Sequence, residues 1–350
     1  MNFEDGVIHL QEFIRTRPMI IVGTGLSLSM GLPGMSQLLE HLEKRIPELS
    51  QGNTAIHEEW KSCLDLIHKY GFEEGLNQIT ICDELLELIT NETADLVQIK
   101  DLQAFQSIPN LQLSDFPFAK LIKHLVDSLH PENQILNVIT PNYDHLVEYA
   151  CDLINVHCCT GFTGTYLLKF DPAQLKNDSY NLHPIPDHKG NKRFRKIPRV
   201  RLLKPHGSLY WQKVGNETYE AYHKIDSSKR VIITPGNTKF KSSLTDSIMN
   251  FHRELANDCI LNANSILIIG YGFNDLHLQT VLQDKLRAGV SCLILTKELS
   301  SYARQLISSH RQIFALEECG YLKTKWYFNE LEGIWDDPIW SLDQFVKRIL

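Results

Sequence analysis

The chain has 350 residues, 43% hydrophobic and 22% charged, enough to bury one large α/β domain with insertions. Its formal net charge of −7 argues against a general polyanion-binding surface. Residues 1–10 carry Glu4 and Asp5 in place of the positive start of a secretory signal. Apolar runs such as 266–269 are far too short to cross a bilayer, and eight irregularly spaced cysteines suggest reduced thiols. The expectation is a soluble, cytoplasmic protein with no membrane partner.

Residues 19–34 read MIIVGTGLSLSMGLPG. The apolar run Met19 to Val22 stops at Gly23-Thr24-Gly25 and a helical pattern follows, which predicts a strand, a glycine turn and a helix start. There, free backbone N–H groups and the positive end of a helix dipole can receive a pyrophosphate. Gly23 and Gly25 would permit positive φ and let a ligand approach the backbone. The spacing is not G-x-G-x-x-G, because Ser27, Leu28 and Ser29 stand where a third glycine would fall. An ordinary tight turn is the competing reading.

Residues 34–131 show helical periodicity (Leu38, Leu39, Leu42, Ile46; Leu64, Ile67, His68; Leu85, Leu86, Leu88, Ile89), which predicts an inserted α-helical subdomain. Further apolar, β-branched runs occupy 135–140, 265–269 and 292–296. Strand, turn and helix repeated in that order predict an α/β fold: a Rossmann-like parallel sheet with helices on both faces and a ligand crevice at the carboxyl ends of its strands. Residues 157–235 read as an irregular insertion with short strands. The expected organisation is one catalytic domain over 1–300 and a helical or strand extension over 301–350. Within that extension, residues 326–350, with Trp335, Trp340, Leu342 and Phe345, read as a terminal helix that contributes to assembly.

Three motifs join the glycine loop. Thr140-Pro141-Asn142-Tyr143-Asp144 follows a strand, and Asn142 or Asp144 is placed either for chemistry or merely to cap the next helix. Lys204-Pro205-His206-Gly207-Ser208 ends the run Val200, Leu202, Leu203. Its histidine is a candidate general base or ribose contact, or a structural histidine bonded to backbone. Gly270-Tyr271-Gly272-Phe273-Asn274-Asp275 offers a second glycine-lined edge, with Asp275 placed to cap the helix through Leu278 and Val281.

Taken together and in this order, the four motifs resemble those of the sirtuin (Sir2) superfamily. In that family the first glycine loop and a Gly-x-Pro contact NAD, a Thr-Gln-Asn-x-Asp motif frames the nicotinamide ribose, and a His-Gly motif supplies the catalytic histidine. By position the resemblance implies that Gly23, Thr24, Gly25 and Ser27 line the phosphates and that Leu32 and Pro33 sit near the nicotinamide pocket. It further implies that Asn142 and Asp144 match the Asn-x-Asp pair and His206 the histidine, with Gly270, Tyr271, Gly272 and Phe273 on the cofactor's second edge. Asn142 would orient water or a ribose hydroxyl, Asp144 would steady the motif or the developing charge, and His206 would accept a proton.

Departures from the family pattern matter as much. The two Cys-x-x-Cys pairs of zinc-binding deacylases are missing, and Cys151…His157-Cys158-Cys159 has the wrong spacing, so no zinc is expected. Gly34-Met35-Ser36 replaces Asp-Phe-Arg and Pro141 replaces Gln. These features look like the divergent Sir2-like branch of bacterial antiphage defence. That likeness implies an NAD+ hydrolase (NAD+ as substrate), releasing nicotinamide and ADP-ribose in an effector that depletes cellular NAD+. It also implies a homo-oligomer and a regulatory partner of the HerA-like ATPase or short Argonaute type. The alternatives are an NAD-dependent protein deacylase and a non-catalytic module binding NAD or ADP-ribose. Residues 189–204 carry eight basic residues and no acid, yet a solvated loop or protein contact is favoured over direct nucleic-acid binding.

Overall fold

The computed structural model describes residues 1–108, 116–176, 182–186, 192–234, 247–273 and 275–350. Part of the basic segment 189–204, and Asn274 of the fourth motif, lie outside the described residues.

The chain opens with α1 (Phe3–Arg15), β1 (Met19–Val22) and the short α2 (Thr24–Ser29). Five helices follow: α3 (Met35–Leu49), α4 (Thr54–Tyr70), α5 (Phe72–Asn77), α6 (Asp83–Gln106) and α7 (Pro117–Asp127). Next come β2 (Ile135–Ile139), α8 (Leu146–Leu153), β3 (His157–Cys159), β4 (Phe162–Thr163), β5 (Leu168–Phe170) and α9 (Pro172–Lys176). Six strands continue the chain: β6 (Leu182–Pro186), β7 (Lys192–Lys196), β8 (Arg199–Leu203), β9 (Gly207–Val214), β10 (Glu217–Glu220) and β11 (Lys229–Ile232). The carboxyl-terminal part holds α10 (Ser247–Leu261), β12 (Ser265–Ile269), α11 (Leu276–Arg287), β13 (Ser291–Thr296), α12 (Ser301–Ser309), β14 (Ile313–Glu318), β15 (Thr324–Phe328), β16 (Leu331–Trp335) and α13 (Leu342–Ile349).

Nine strands form one sheet in the order β16-β15-β14-β13-β12-β1-β2-β8-β3. The seven from β14 to β3 pair in parallel, and β15 and β16 add an antiparallel edge. From β1 the chain builds outward through β2 and β8, then returns to the other side of β1 for β12, β13 and β14. That reversal is a topological switch point, where ligands of doubly wound sheets bind.

The central strands are apolar throughout because both faces are covered. Ile20, Val22, Val138, Leu267 and Leu293 pack on one face with Leu10 of α1, Leu121 of α7, Val147 of α8 and Phe345 of α13. Met19, Ile21, Ile139, Ile268 and Ile294 pack on the other with Ala256 of α10, Leu282 of α11 and Leu306 of α12. The sheet thus matches the expected architecture of a Rossmann-like sheet with helices on both faces.

The helical insertion has a core of its own, built from Leu42, Trp60, Ile67, Leu85 and Ile89 of α3, α4 and α6. Helix α7 packs instead beneath the main sheet. Helix α6 reaches from the insertion core at Leu85 to the main core at Ala104, and so carries Asp101 beneath the second motif. A second, antiparallel sheet of order β11-β9-β10-β5-β4 covers the third motif.

Residues 326–350 correct the expectation of a terminal helix. Trp326 and Trp335 lie on the paired strands β15 and β16, and only Leu342–Ile349 is helical, capped by Ser341. Trp326 and Trp335 are both buried and stack with ring centroids 5.6 Å apart, as neighbours on one face of a hairpin do.

Candidate active site

The glycine loop and the loop after β12 interlock at the switch point. The Gly23 N–H donates to Ile269 O (2.9 Å) and the Gly25 N–H to Gly270 O (2.8 Å). A Cβ on Gly23 would stand 2.4 Å from Tyr271 Cα, and one on Gly25 2.6 Å from Gly270 Cα. Positive φ belongs to Gly270 (+56°), whereas Gly23 has φ −110° and Gly25 is not among the positive-φ glycines. The expected positive φ is therefore absent at Gly23 and Gly25: they are small so that two backbones can touch, and their N–H groups are bonded to the neighbouring loop. Thr24 and Gly25 remain solvent-exposed at the mouth.

One turn into α2, the buried Ser27 hydroxyl donates to Asp144 Oδ2 (2.6 Å) and accepts from Asn142 Nδ2 (2.8 Å). Ser27, expected beside phosphates, therefore faces the Asn-x-Asp pair. The Asn142 backbone N–H donates to Thr140 Oγ1 (3.2 Å), which shapes the turn after β2. Asp144 also accepts the Leu146 N–H (3.3 Å) at the start of α8. Capping and site-building are thus done by one carboxyl group, 5% exposed, whose pKa burial raises against the pull of Ser27 and Lys204.

Beneath this turn lies a buried polar cluster that motif reading missed. Lys204 Nζ donates to Asp144 O (2.6 Å), Glu148 Oε1 (2.6 Å) and Ser208 Oγ (3.2 Å). Burial opposes its charge, but Glu148 and Asp144 prevail and its pKa is raised. Asp101 accepts the His145 backbone N–H (2.9 Å), stands 3.2 Å from His145 Nδ1 and accepts from Tyr149 OH (2.7 Å). Burial would raise the Asp101 carboxyl, and these hydrogen bonds bring it below its usual value. Lys204 was legible only as the first letter of a motif; Asp101 gave no signal in its helix.

The third motif turns at Gly207 (φ +84°), where a Cβ would strike Val231 O. The turn leaves the His206 side chain 23% exposed with its Nε2 2.7 Å from Asp275 Oδ2. Asp275 also accepts the Leu278 N–H (3.4 Å) as the cap of α11. Tyr143 O accepts from Leu209 N (3.2 Å), which seats the second motif on the third.

The four motifs consequently form a closed circuit of direct contacts. Ser27 meets Asn142 and Asp144, Tyr143 meets Leu209, His206 meets Asp275, and Gly270 meets Gly25. Not every candidate faces the crevice. Tyr271 and Phe273 are buried with rings 5.1 Å apart in the core, and Leu32 is buried in the opposite core. Those three pack in the cores, whereas Gly272 is exposed and Pro33 half-buried.

Two cavities of about 420 Å³ each flank the β15–β16 edge, and no motif residue lines either. Among the described residues no group of three or more His, Cys, Asp or Glu is placed to hold a metal ion, and no helix is long and apolar enough to cross a membrane.

Comparison with known proteins gives a family. The model for the SIR2-like domain matches residues 136–310. No curated protein matches the chain. Among solved structures, a Sir2 homolog–NAD complex is similar at 12% identity and a TM-score of 0.41, covering 81% of this chain and 79% of that one. Sir2Tm bound to a propionylated peptide is similar at 13% identity and a TM-score of 0.42, covering 88% of this chain and 98% of that one. The family match spans half of the 350 residues and contains three of the four motifs: the chain belongs to the SIR2-like domain family and carries its catalytic domain.

Proposed function

We propose that this chain uses NAD+ as a substrate and breaks the bond between nicotinamide and ribose in the crevice at the switch point. The observation that supports this reading is the circuit of contacts that joins the turns carrying Asn142 and His206 to the glycine loop and to one another. The side chains fit the substrate's chemistry: Asn142 and His206 are partly exposed polar groups, and Thr24, Gly25 and Gly272 on the interlocked loops are open to solvent.

The hydrogen-bond order supports a division of roles. The single Ser27 proton goes to Asp144, so Ser27 can only accept from the Asn142 amide. The Asn142 carbonyl oxygen is then left to orient a water or a ribose hydroxyl. Asp144 acts as a positioning group, since its oxygens are held by Ser27 and Leu146. His206 accepts the proton that water loses as its oxygen bonds to C1′ and nicotinamide leaves with the bonding pair. The balance is NAD+ and water to nicotinamide, ADP-ribose and one proton. General-base help of this kind contributes about 10²–10⁴-fold.

A second reading keeps the same bond cleavage and replaces water by an acyl-lysine, making the chain an NAD-dependent deacylase. Family membership favours this acceptor. The water reading rests on the sequence likeness to NAD+-depleting defence effectors, in which homo-oligomers and a regulatory partner protein restrain the activity.

The test is incubation of the purified chain with NAD+, with and without an acetylated or propionylated peptide, followed by chromatography. Nicotinamide with ADP-ribose in the absence of peptide establishes the hydrolase. Nicotinamide with acyl-ADP-ribose only when peptide is present establishes the deacylase. Tight NAD+ binding without nicotinamide under either condition overturns both in favour of a binding module. Asn142→Ala and His206→Ala are expected to abolish turnover.

A further inference from the structure

His206 and Asp275 reach each other across the crevice. His206 follows β8 and Asp275 precedes α11 after β12, two strands that β1 and β2 hold apart in the sheet. Their side chains meet at 2.7 Å between Nε2 and Oδ2, with Asp275 only 7% exposed. The second carboxylate oxygen accepts the Leu278 N–H, so the carboxylate is fixed to the first turn of α11. The His206 main chain is held as well, its carbonyl accepting the Ile233 N–H (2.9 Å).

A carboxylate only accepts, and a neutral imidazole carries one N–H. The proton of neutral His206 therefore resides on Nε2, and Nδ1 carries the lone pair. We infer that Asp275 is a positioning residue for His206: it fixes the tautomer with Nδ1 as the basic nitrogen and locks the ring across the crevice. This assignment rests on the reading of His206 as the base in NAD+ cleavage. When Nδ1 takes the proton that water loses, Nε2–H stays on Asp275, whose negative charge offsets the imidazolium until the proton passes to solvent. The sequence assigned Asp275 only the helix cap, and the contact with His206 gives the same carboxyl group a second use. The logic matches that of a carboxylate orienting a catalytic histidine in a hydrolase triad.

The experiment uses full-length protein with ¹⁵N-labelled histidine, and the His206 resonances are assigned by their loss in His206→Gln. Tautomer and steady-state NAD+ cleavage are read for the wild type and for Asp275→Asn, which keeps a cap acceptor. The wild type is expected as the Nε2–H form. Asp275→Asn is expected to raise the Nδ1–H fraction and to lower kcat by about 10²–10⁴-fold, with KM for NAD+ altered less than about threefold. A wild-type Nδ1–H form overturns the assignment without any variant. An Asp275→Asn protein with unchanged tautomer and kcat also overturns it, leaving Asp275 a cap. Absence of nicotinamide release by the wild type would instead sink the NAD+ reading, and the tautomer measurement still decides the pair.

Discussion

Ser27 and Asp144, 117 positions apart in the chain, share a 2.6 Å hydrogen bond between buried groups. This contact ties the glycine loop after β1 to the turn after β2, and Asn142 hangs on it through its amide. Ser27→Ala removes a donor from a carboxyl group that burial already pushes toward neutrality. The loss is expected to be about 1–3 kcal/mol of stability, because a buried acceptor is left unpaired. Nicotinamide release should fall at least about tenfold as the Asn142 amide loses its fixed orientation. Thermal unfolding and a turnover assay on one preparation check both, and wild-type turnover by Ser27→Ala would remove Ser27 from the positioning of Asn142.

Gly25→Ala addresses the interlock of the two loops. The added methyl would stand 2.6 Å from Gly270 Cα, and neither backbone is a flexible side-chain end that can swing away. The expected destabilisation is about 1–3 kcal/mol, with loss of NAD+ turnover as the loops part. An unchanged melting temperature would show that the loops are not in contact in solution.

The sequence made the central strands legible because each is a short, wholly apolar run ended by turn residues. Ser265–Ile269 before Gly270 is the clearest case, buried at every position. The β15–β16 hairpin was not legible. Its two-residue turn, Asn329-Glu330, has both φ values positive (+52° and +64°), the geometry of a tight hairpin turn, but lacks the Asn-Gly pair that signals one. At the site, Asn142, Asp144 and His206 were readable as motif letters. Their supports were not, because Asp101 comes from the helical insertion and Asp275 from across the sheet. An acid in a polar stretch of helix carries no mark of the histidine it will meet. The burial of Tyr271 and Phe273 was hidden for the opposite reason: they flank glycines in a loop, yet their rings pack in the core.

His252 makes stability depend on pH. It is buried in α10, its Nδ1 accepts the Lys204 N–H (3.2 Å), and burial together with the Lys204 charge lowers its pKa from 6.5 to about 3. With the folded pKa below the unfolded one, the contribution is complete above about pH 6.5 and is lost as pH falls toward about 3. At about pH 5 the loss amounts to about 2 kcal/mol, since the unfolded chain binds a proton that the folded one excludes. His145 runs the other way: burial and Lys204 lower its pKa, but Glu148 and Asp101 prevail and raise it. Comparison with His252→Asn isolates the first effect, because the amide oxygen still accepts from Lys204 and does not titrate. The stability advantage of the wild type over His252→Asn should shrink between about pH 7.5 and about pH 5. A constant difference in urea midpoints across that range would contradict a neutral, buried His252.

Lys204 gives the sharpest test of what holds the second motif in place. Its ammonium is fully buried and donates to Asp144 O, Glu148 Oε1 and Ser208 Oγ, joining the end of β8 to the turn after β2 and to α8. Removing one partner of such a pair strands the other. Lys204→Met is expected to lower stability by about 3–5 kcal/mol, since Glu148, 17% exposed, keeps a charge without its counter-ion. Glu148→Gln alone should also destabilise, by leaving the ammonium short of an anion. The double variant Lys204→Met with Glu148→Gln should recover part of the loss, because neither buried charge remains, and the cycle should show a coupling of about 0.5–3 kcal/mol. Turnover need not recover with stability. Without the ammonium, Asp144 O and Ser208 lose their shared donor, and the turn that carries Asn142 is free to shift. Additive losses in the double variant would mean that the ion pair is weak and that Lys204 acts chiefly through its hydrogen bond to Asp144 O.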